Sequence, residues 1–482
     1  DTPTDNFATL SSIDFSNNQE PTLGGIVVVS DGGLNLSWGS TNQGSARSTF
    51  GMTSGKYYTE VTYNDSATSS FSCGVVIGTD PLQQWPVADN EGRVHYDASG
   101  VIHLDGSNSE ETGLATYTTG DVIGMQVDMD ASPKTIEFFK NGTTVVSKDL
   151  NTSFDTWFFS VFVGSATRDG NINFGQHSFA HTPEAGFKSL CTDNLPEPTI
   201  QNSKKYFDTI LYEGNGETQK IGQFQPIEED YTVGNSALFN LADSCKLTRT
   251  PSVVGNRRTF TFSTWIKSVG DASSDITLFS GYSANNDEGY FIFGFKDGSP
   301  GYEVYVEQYS SFLRKTDRTY FDPTQWNNFI LAYDSTQTTA SDRVKIYVNG
   351  VEATNFSDSD DPDSNQQTPI NDDVAQGIGV RRFDDAALGD YYMAETHFID
   401  GQRLDSTSFG EVDSTTNRWI PKEYTAGSVG SAVTVDLTAN ASDASDTTAY
   451  TFSSQSFGAA ASDRKMVVGI VCYDDSPGTR VS

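Results

Sequence analysis

The densest run of potential ligands is "FSDSDDPDSN", which carries Asp358, Asp360, Asp361 and Asp363. Calcium takes roughly six to eight oxygen ligands. The i, i+2 spacing of Asp358 and Asp360 could turn two carboxylates toward one ion, so these four aspartates are the candidate Ca²⁺ ligands and calcium the candidate cofactor. "NDD" at Asn371 to Asp373 and "FDD" at Asp384 and Asp385 follow. In a chain of net charge −34 the same composition also describes a solvated loop.

Sugar recognition needs exposed rings that stack on the C–H faces of sugars, beside polar groups that bond hydroxyls. Three stretches of loop-like composition offer them: Trp85 in "PLQQWPVADNEG", with Asp89 and Asn90 close behind, Tyr282 in "SGYSANNDEG", and Tyr302 in "SPGYEVY". These five are the candidate glycan-binding residues. A tryptophan packing its own loop is the competing reading for Trp85.

A glycoside hydrolase sets two carboxylates about 5–10 Å apart across the scissile bond. Strand alternation would supply that as Glu-x-Asp-x-x-Glu, and no such run occurs. "VDMDAS" gives Asp128 and Asp130 with no glutamate behind them. His177 and His181 have a spacing that aligns only on a helix, yet "FGQHSFAHTPEAGF" reads as loop. His95, His103 and His397 are scattered, and GxSxG, P-loop and HExxH patterns are missing. The reading is a binder rather than an enzyme.

The elements that must position these residues are strands. The chain has 482 residues, 12 % aromatic and 43 of them glycine, long enough for two to four domains at roughly 100–200 residues each. In "GKYYTEVTY" alternation sets Tyr57, Thr59, Val61 and Tyr63 against Tyr58, Glu60 and Thr62, the mark of a strand with one buried face. Ile136 and Phe138 share a face opposite Glu137 and Phe139, and Phe260, Phe262, Thr264 and Ile266 form an aromatic-rich inward face. Helical periodicity is missing apart from a turn at "DSTSFGE". The fold expected is all-β, tandem antiparallel β-sandwiches over 1–197 and 198–426, with 427–482 the start of a third, apparently incomplete β domain. The first boundary rests on Pro196 and Pro198, which interrupt any ladder, and "KKYFDTILY" reads as the opening strand of the second sandwich.

With 64 acidic against 30 basic residues the surface field repels nucleic acid and anionic lipid, so no nucleic-acid partner is expected. No apolar run approaches the ~20 residues of a membrane helix, and "DTPTDNFATL" has neither the basic start nor the apolar core of a signal peptide. Membrane insertion is not expected, and no export signal is visible. Cys73, Cys191, Cys245 and Cys472 are too widely spaced for a disulfide framework or a zinc site and read mostly as small buried hydrophobes.

The first piece resembles SPRY-type domains through "GKYYTEV", "GVVIG", "GDVIGMQVD" and "IEFFKNG". The second resembles laminin-G/pentraxin-like domains through "FTFSTWIK", "WNNFILAYD", "VKIYVNG" and "YYMAETHFIDGQRL". Both resemblances imply concanavalin A-like jelly rolls, and the second implies calcium at loop ends. The tandem, with its joining "GFKSLCTDNLPEPTI", resembles marine bacteriophage virion appendages of the tail-fibre type. That implies a virion-surface or extracellular location, host cell-surface polysaccharide and other virion proteins as partners, and a homo-oligomer, a trimer before other states. A secreted bacterial adhesin or extracellular matrix protein, and a polysaccharide depolymerase, are the alternatives. "IEFFKNG" and "VKIYVNG" share Asn-Gly, the pair favoured in a type I′ hairpin turn, and so mark one structural corner in two related sandwiches.

Overall fold

The computed structural model describes residues 1–15, 27–38, 44–64, 71–80, 82, 92–104, 107–163, 168–196, 231–268, 275–283, 289–298, 301–309, 311–320, 322–413, 418–425 and 465–467. Strands dominate, as the alternating sequence requires. The helices among the described residues are single 3-10 turns, Thr192–Asn194, Ala340–Asp342 and Ser406–Ser408. The last lies in "DSTSFGE", where the Asp405 carboxylate accepts the Thr407 N–H at 3.0 Å. No helix among the described residues is long and apolar enough to cross a membrane.

The chain divides into two compact units, principally Asp1–Glu229, and Asp230–Asp322 with Trp326–Ile470. In the first, one seven-stranded sheet runs in the order Leu10–Phe15, Gly44–Ser48, Trp157–Val163, Phe71–Ile77, Arg93–Asp97, Ile102–Leu104, Ser107–Glu111. Its partner sheet runs Thr143–Asp149, Thr135–Lys140, Val122–Asp128, Lys56–Tyr63, Arg168–Asn173, Asn35–Trp38, Val27–Ser30. Tyr57, Val61, Tyr63, Ile136 and Phe138 from one sheet meet Trp157, Phe159 and Val161 from the other in a single buried cluster. Each such side chain contributes about 1.5–3 kcal/mol by leaving water.

The opposite face of the first sheet is also buried, and much of it is polar. His95 lies between Ser72 (Nδ1 to Oγ 3.0 Å) and Ser160 (Nε2 to Oγ 2.7 Å), and burial holds its pKa well below the ordinary imidazole value. Arg93 forks onto Asp80 at 3.1 and 2.7 Å. His95 thus serves as a buried hydrogen-bonding group, and His103 likewise meets Asp97, Nε2 to Oδ2 at 3.0 Å.

The second unit repeats the plan. One sheet runs Ala237–Phe239, Tyr391–Asp400, Thr259–Ser268, Asn327–Asp334, Val344–Val348, Val351–Glu352. The other runs Leu247–Arg249, Ala375–Ile378, Ile276–Tyr282, Tyr290–Gly298, Gly301–Gln308, Phe312–Thr319, Phe356–Ser359. Phe260, Phe262 and Ile266 point into the core as their alternation predicts, with Phe262 stacked on Phe279 at 4.8 Å between centroids and 2° between planes. The far side of the first sheet is roofed in two places: Trp265, Trp326 and Tyr392 pack with Tyr231 and Val233, and Ile330 and Ile399 pack with Phe409 and Tyr424.

Cys73 and Cys191 are buried and Cys245 is half-buried, all as free thiols; Cys472 lies outside the described residues. So do "KKYFDTILY" and the strand candidates "AVTVDLTA" and "TAYTFSSQSF". Of the expected third domain only Lys465–Val467 is described, as a strand antiparallel to His397–Ile399 in the second unit.

Both Asn-Gly pairs form two-residue hairpin turns. Lys140 pairs with Thr143 across one, and Val348 with Val351 across the other. The φ angles are 49° and 77° at Asn141 and Gly142, and 48° and 82° at Asn349 and Gly350, the left-handed values that a type I′ turn requires at both positions.

Candidate functional site

Alternation in the second sheet of the second unit divides its aromatic residues. Phe291, Phe293 and Phe295 on one strand, and Tyr302, Val304 and Val306 on the next, enter the core. Tyr290 and Tyr309 are out of phase with them and face the other way. Register then lines up three strands: Tyr282 is opposite Tyr290, and the Tyr309 N–H donates to the Tyr290 carbonyl at 3.0 Å. The result is a cross-strand row of tyrosines at one end of the sheet. Gly289 (φ 56°) permits it, since a Cβ there would stand 2.7 Å from Cβ of Tyr309.

A loop lays a fourth ring on this row. Arg381 and Ala386 form an antiparallel bridge, the Arg382 N–H donates to the Ser280 hydroxyl at 3.1 Å, and that hydroxyl donates to the Val380 carbonyl at 2.6 Å. Phe383, at the tip, stacks on Tyr290 at 4.8 Å and 25° and lies 6.3 Å from Tyr282. Tyr290 and Tyr309 meet at 5.3 Å. Tyr309 and Phe383 are 53 % and 39 % exposed and are the aromatic members of the exposed large hydrophobics among the described residues.

Polar groups border the rings. The Tyr290 hydroxyl donates to Oε1 of half-buried Glu307 at 2.7 Å, and burial first, then this bond, raise the Tyr290 pKa. The Arg381 guanidinium lies 4.7 Å from the Phe383 centroid and grips Asp384 at 3.0 and 2.7 Å, the hydrogen bond to Asp384 being the main reason its own pKa is raised. Lys296 pairs with Asp275 at 2.7 Å. Rings with open surface beside an acceptor such as Glu307 can take the apolar face of a sugar while holding its hydroxyls.

The sequence candidates fare unequally. Tyr282 belongs to this row. Tyr302 does not: expected in an exposed loop, it lies on the inward side of the Gly301–Gln308 strand, 5 % exposed and 6.2 Å from Phe295, because the strand begins at Gly301 and its parity points Tyr302 into the core. Trp85, Asp89 and Asn90 lie outside the described residues.

The four aspartates do not converge as a metal site. Asp358 is on an edge strand opposite Lys315 and pairs with it at 3.4 Å. Asp361 pairs with Arg314, and the Asp360 and Asp363 N–H groups donate to the Leu313 carbonyl and to Oε1 of Gln366 at 3.0 and 2.8 Å. Among the described residues no group of three or more His, Cys, Asp or Glu is arranged to hold a metal ion. Two of the four carboxylates that seemed available in sequence, those of Asp358 and Asp361, are taken by cations that the neighbouring strand brings up.

Fold and row together define a class of molecule, a tandem of β-sandwich modules fit for a binding or adhesive role. Residues 242–390, which include the row, match the family model of the concanavalin A-like lectin/glucanases superfamily. Among solved structures the chain is similar to the SPRY domain of human HERC1, at 21 % identity and TM-score 0.29, covering 35 % of this chain and 99 % of that one. It is similar also to a human SPRY domain (21 %, TM-score 0.26, 32 % and 99 %) and to the TRIM65 PSpry domain (13 %, TM-score 0.27, 36 % and 93 %). At such scores the architecture rests on the strand order and not on these likenesses. Comparison with curated proteins returns no match.

Proposed function

We propose that this chain is a structural and adhesive virion-surface protein, a tail fibre or other appendage, that contacts host surface glycans through the second unit and neighbouring virion subunits through other faces. The observation that carries the glycan contact is the Tyr282, Tyr290, Tyr309 and Phe383 row, whose two outer rings keep open surface beside Glu307. The description of the family matched over 242–390 names lectins and glucanases, both proteins of sugars. The acidic surface suits a neutral or cationic target better than nucleic acid. Rigid sheets hold the rings in place without substrate, which suits a binding surface.

Titration of the chain with host polysaccharide tests the contact. Replacing both exposed rings, Tyr309→Ala with Phe383→Ala, is expected to weaken binding at least about tenfold while leaving the thermal transition nearly in place. Unchanged affinity would overturn the assignment of the site. Antibody labelling of intact particles tests the location, and particles that carry none of this chain would overturn the virion role.

A further inference from the structure

Resting on that glycan reading, we infer that the row selects uncharged glycans and rejects uronate- or sulfate-bearing ones. The argument comes from the charges around the rings. Arg381 grips Asp384 with two hydrogen bonds and stands 3.9 Å from Asp275. Arg382 pairs with Asp385, which Lys246 also meets at 3.1 Å, and Lys296 pairs with Asp275.

Every one of these cations is therefore committed to a carboxylate of the same loop or sheet. An acidic sugar would have to compete with that carboxylate for the same cation, whose charge the pairing already offsets. Glu307 adds a negative group inside the row whose neighbour is the Tyr290 hydroxyl, an acceptor for sugar hydroxyls and a repulsive neighbour for a sugar anion. Beyond the Debye length of roughly 10 Å in ordinary salt the row sees little of the rest of the chain, but at low salt the net charge of −34 turns polyanions away further.

The experiment is calorimetric or gel-retardation binding of the full chain to paired probes: dextran, galactomannan and agarose against dextran sulfate, alginate and carrageenan, in about 0.02 M and about 0.5 M salt. The expected result is that at least one neutral probe binds with an affinity that salt changes less than about twofold, and that every acidic probe binds at least about tenfold more weakly at both salts. Asp384→Asn, which frees the Arg381 fork, should narrow that gap several-fold. An acidic probe bound as tightly as the neutral ones, and weakened by Tyr309→Ala, would overturn this inference and leave the glycan reading standing. No binding to any probe, or binding that survives Tyr309→Ala with Phe383→Ala, would overturn both.

Discussion

The Asn-Gly corner of the first unit and that of the second are built from the same parts. In each, the asparagine side chain clamps the start of the adjacent strand: Oδ1 of Asn141 accepts from the Val122 N–H at 2.9 Å, and Oδ1 of Asn349 from the Asn328 N–H at 2.8 Å. In each, Nδ2 donates at 2.8 Å to the residue just before, Asp121 in one and Asn327 in the other. A ring covers the glycine in both, His181 over Gly142 and Trp419 over Gly350. The differences lie around this shared frame. The first corner is exposed and charged, the second part-buried and neutral. On the sheet faces the contrast widens, with the buried polar layer of Ser72, His95 and Ser160 in one unit and the open tyrosine row in the other. A scaffold repeated to the level of individual hydrogen bonds does not repeat its surface, so the functional reading belongs to the face and not to the corner.

The comparison breaks most sharply at the glycines. A Cβ at Gly350 would stand 2.4 Å from the Trp419 ring, so Gly350→Val should cost about 2–6 kcal/mol from left-handed strain and overpacking together. At Gly142 the nearest atom is Nδ1 of His181 at 2.8 Å, the end of a side chain that can turn aside, and Gly142→Val should cost about 1–3 kcal/mol from strain alone. Hydrogen exchange followed separately in each unit across a denaturant series measures both, and equal losses would show the two roofs to be equivalent.

Next come the asparagines. Asn349→Ala removes part-buried bonds, expected to cost about 1–3 kcal/mol, whereas Asn141→Ala removes exposed ones at about 0.5–1.5 kcal/mol. The same exchange measurement checks this, and a larger loss at Asn141 would reverse the assignment of burial.

The smallest effect is one of pH. Burial alone would raise the Asp121 pKa, but hydrogen bonds from the Thr118 N–H, the Asn141 amide and Lys140 outweigh it and hold it below the ordinary carboxylate value. A folded-state pKa below the unfolded one gives stability that is present above about pH 4 and is lost as pH falls through the folded value. Asn327, its counterpart, does not titrate. Asp121→Asn should therefore flatten the acid limb of the first unit's stability and leave the second unit's unchanged; superimposable acid limbs for variant and parent would remove this distinction.

The row shows how far sequence reading reaches. Tyr282 was legible as an aromatic in a polar stretch, but Tyr290 and Tyr309 carry a signal that only parity reveals: each is one residue out of step with a core run, Phe291 to Phe295 or Tyr302 to Val306. Tyr302 misled because "SPGYEVY" reads as loop where a strand already starts. The four aspartates do not come together because linear spacing says nothing about Lys315 and Arg314, which meet Asp358 and Asp361 although Asn327–Asp334, Val344–Val348 and Val351–Glu352 all lie between them in the chain.

What the sequence determined by itself was local. A period of two fixes which side chains of a strand enter a core, and Asn-Gly fixes a turn that needs two left-handed residues, so the sandwiches and their corners followed from neighbours in the chain. What only the tertiary structure decided was which distant residues meet: three tyrosines brought level by register, Phe383 laid on them by a loop, and acidic groups claimed by cations. Register and ion pairing depend on through-space distance between strands, and no spacing along the chain encodes that distance.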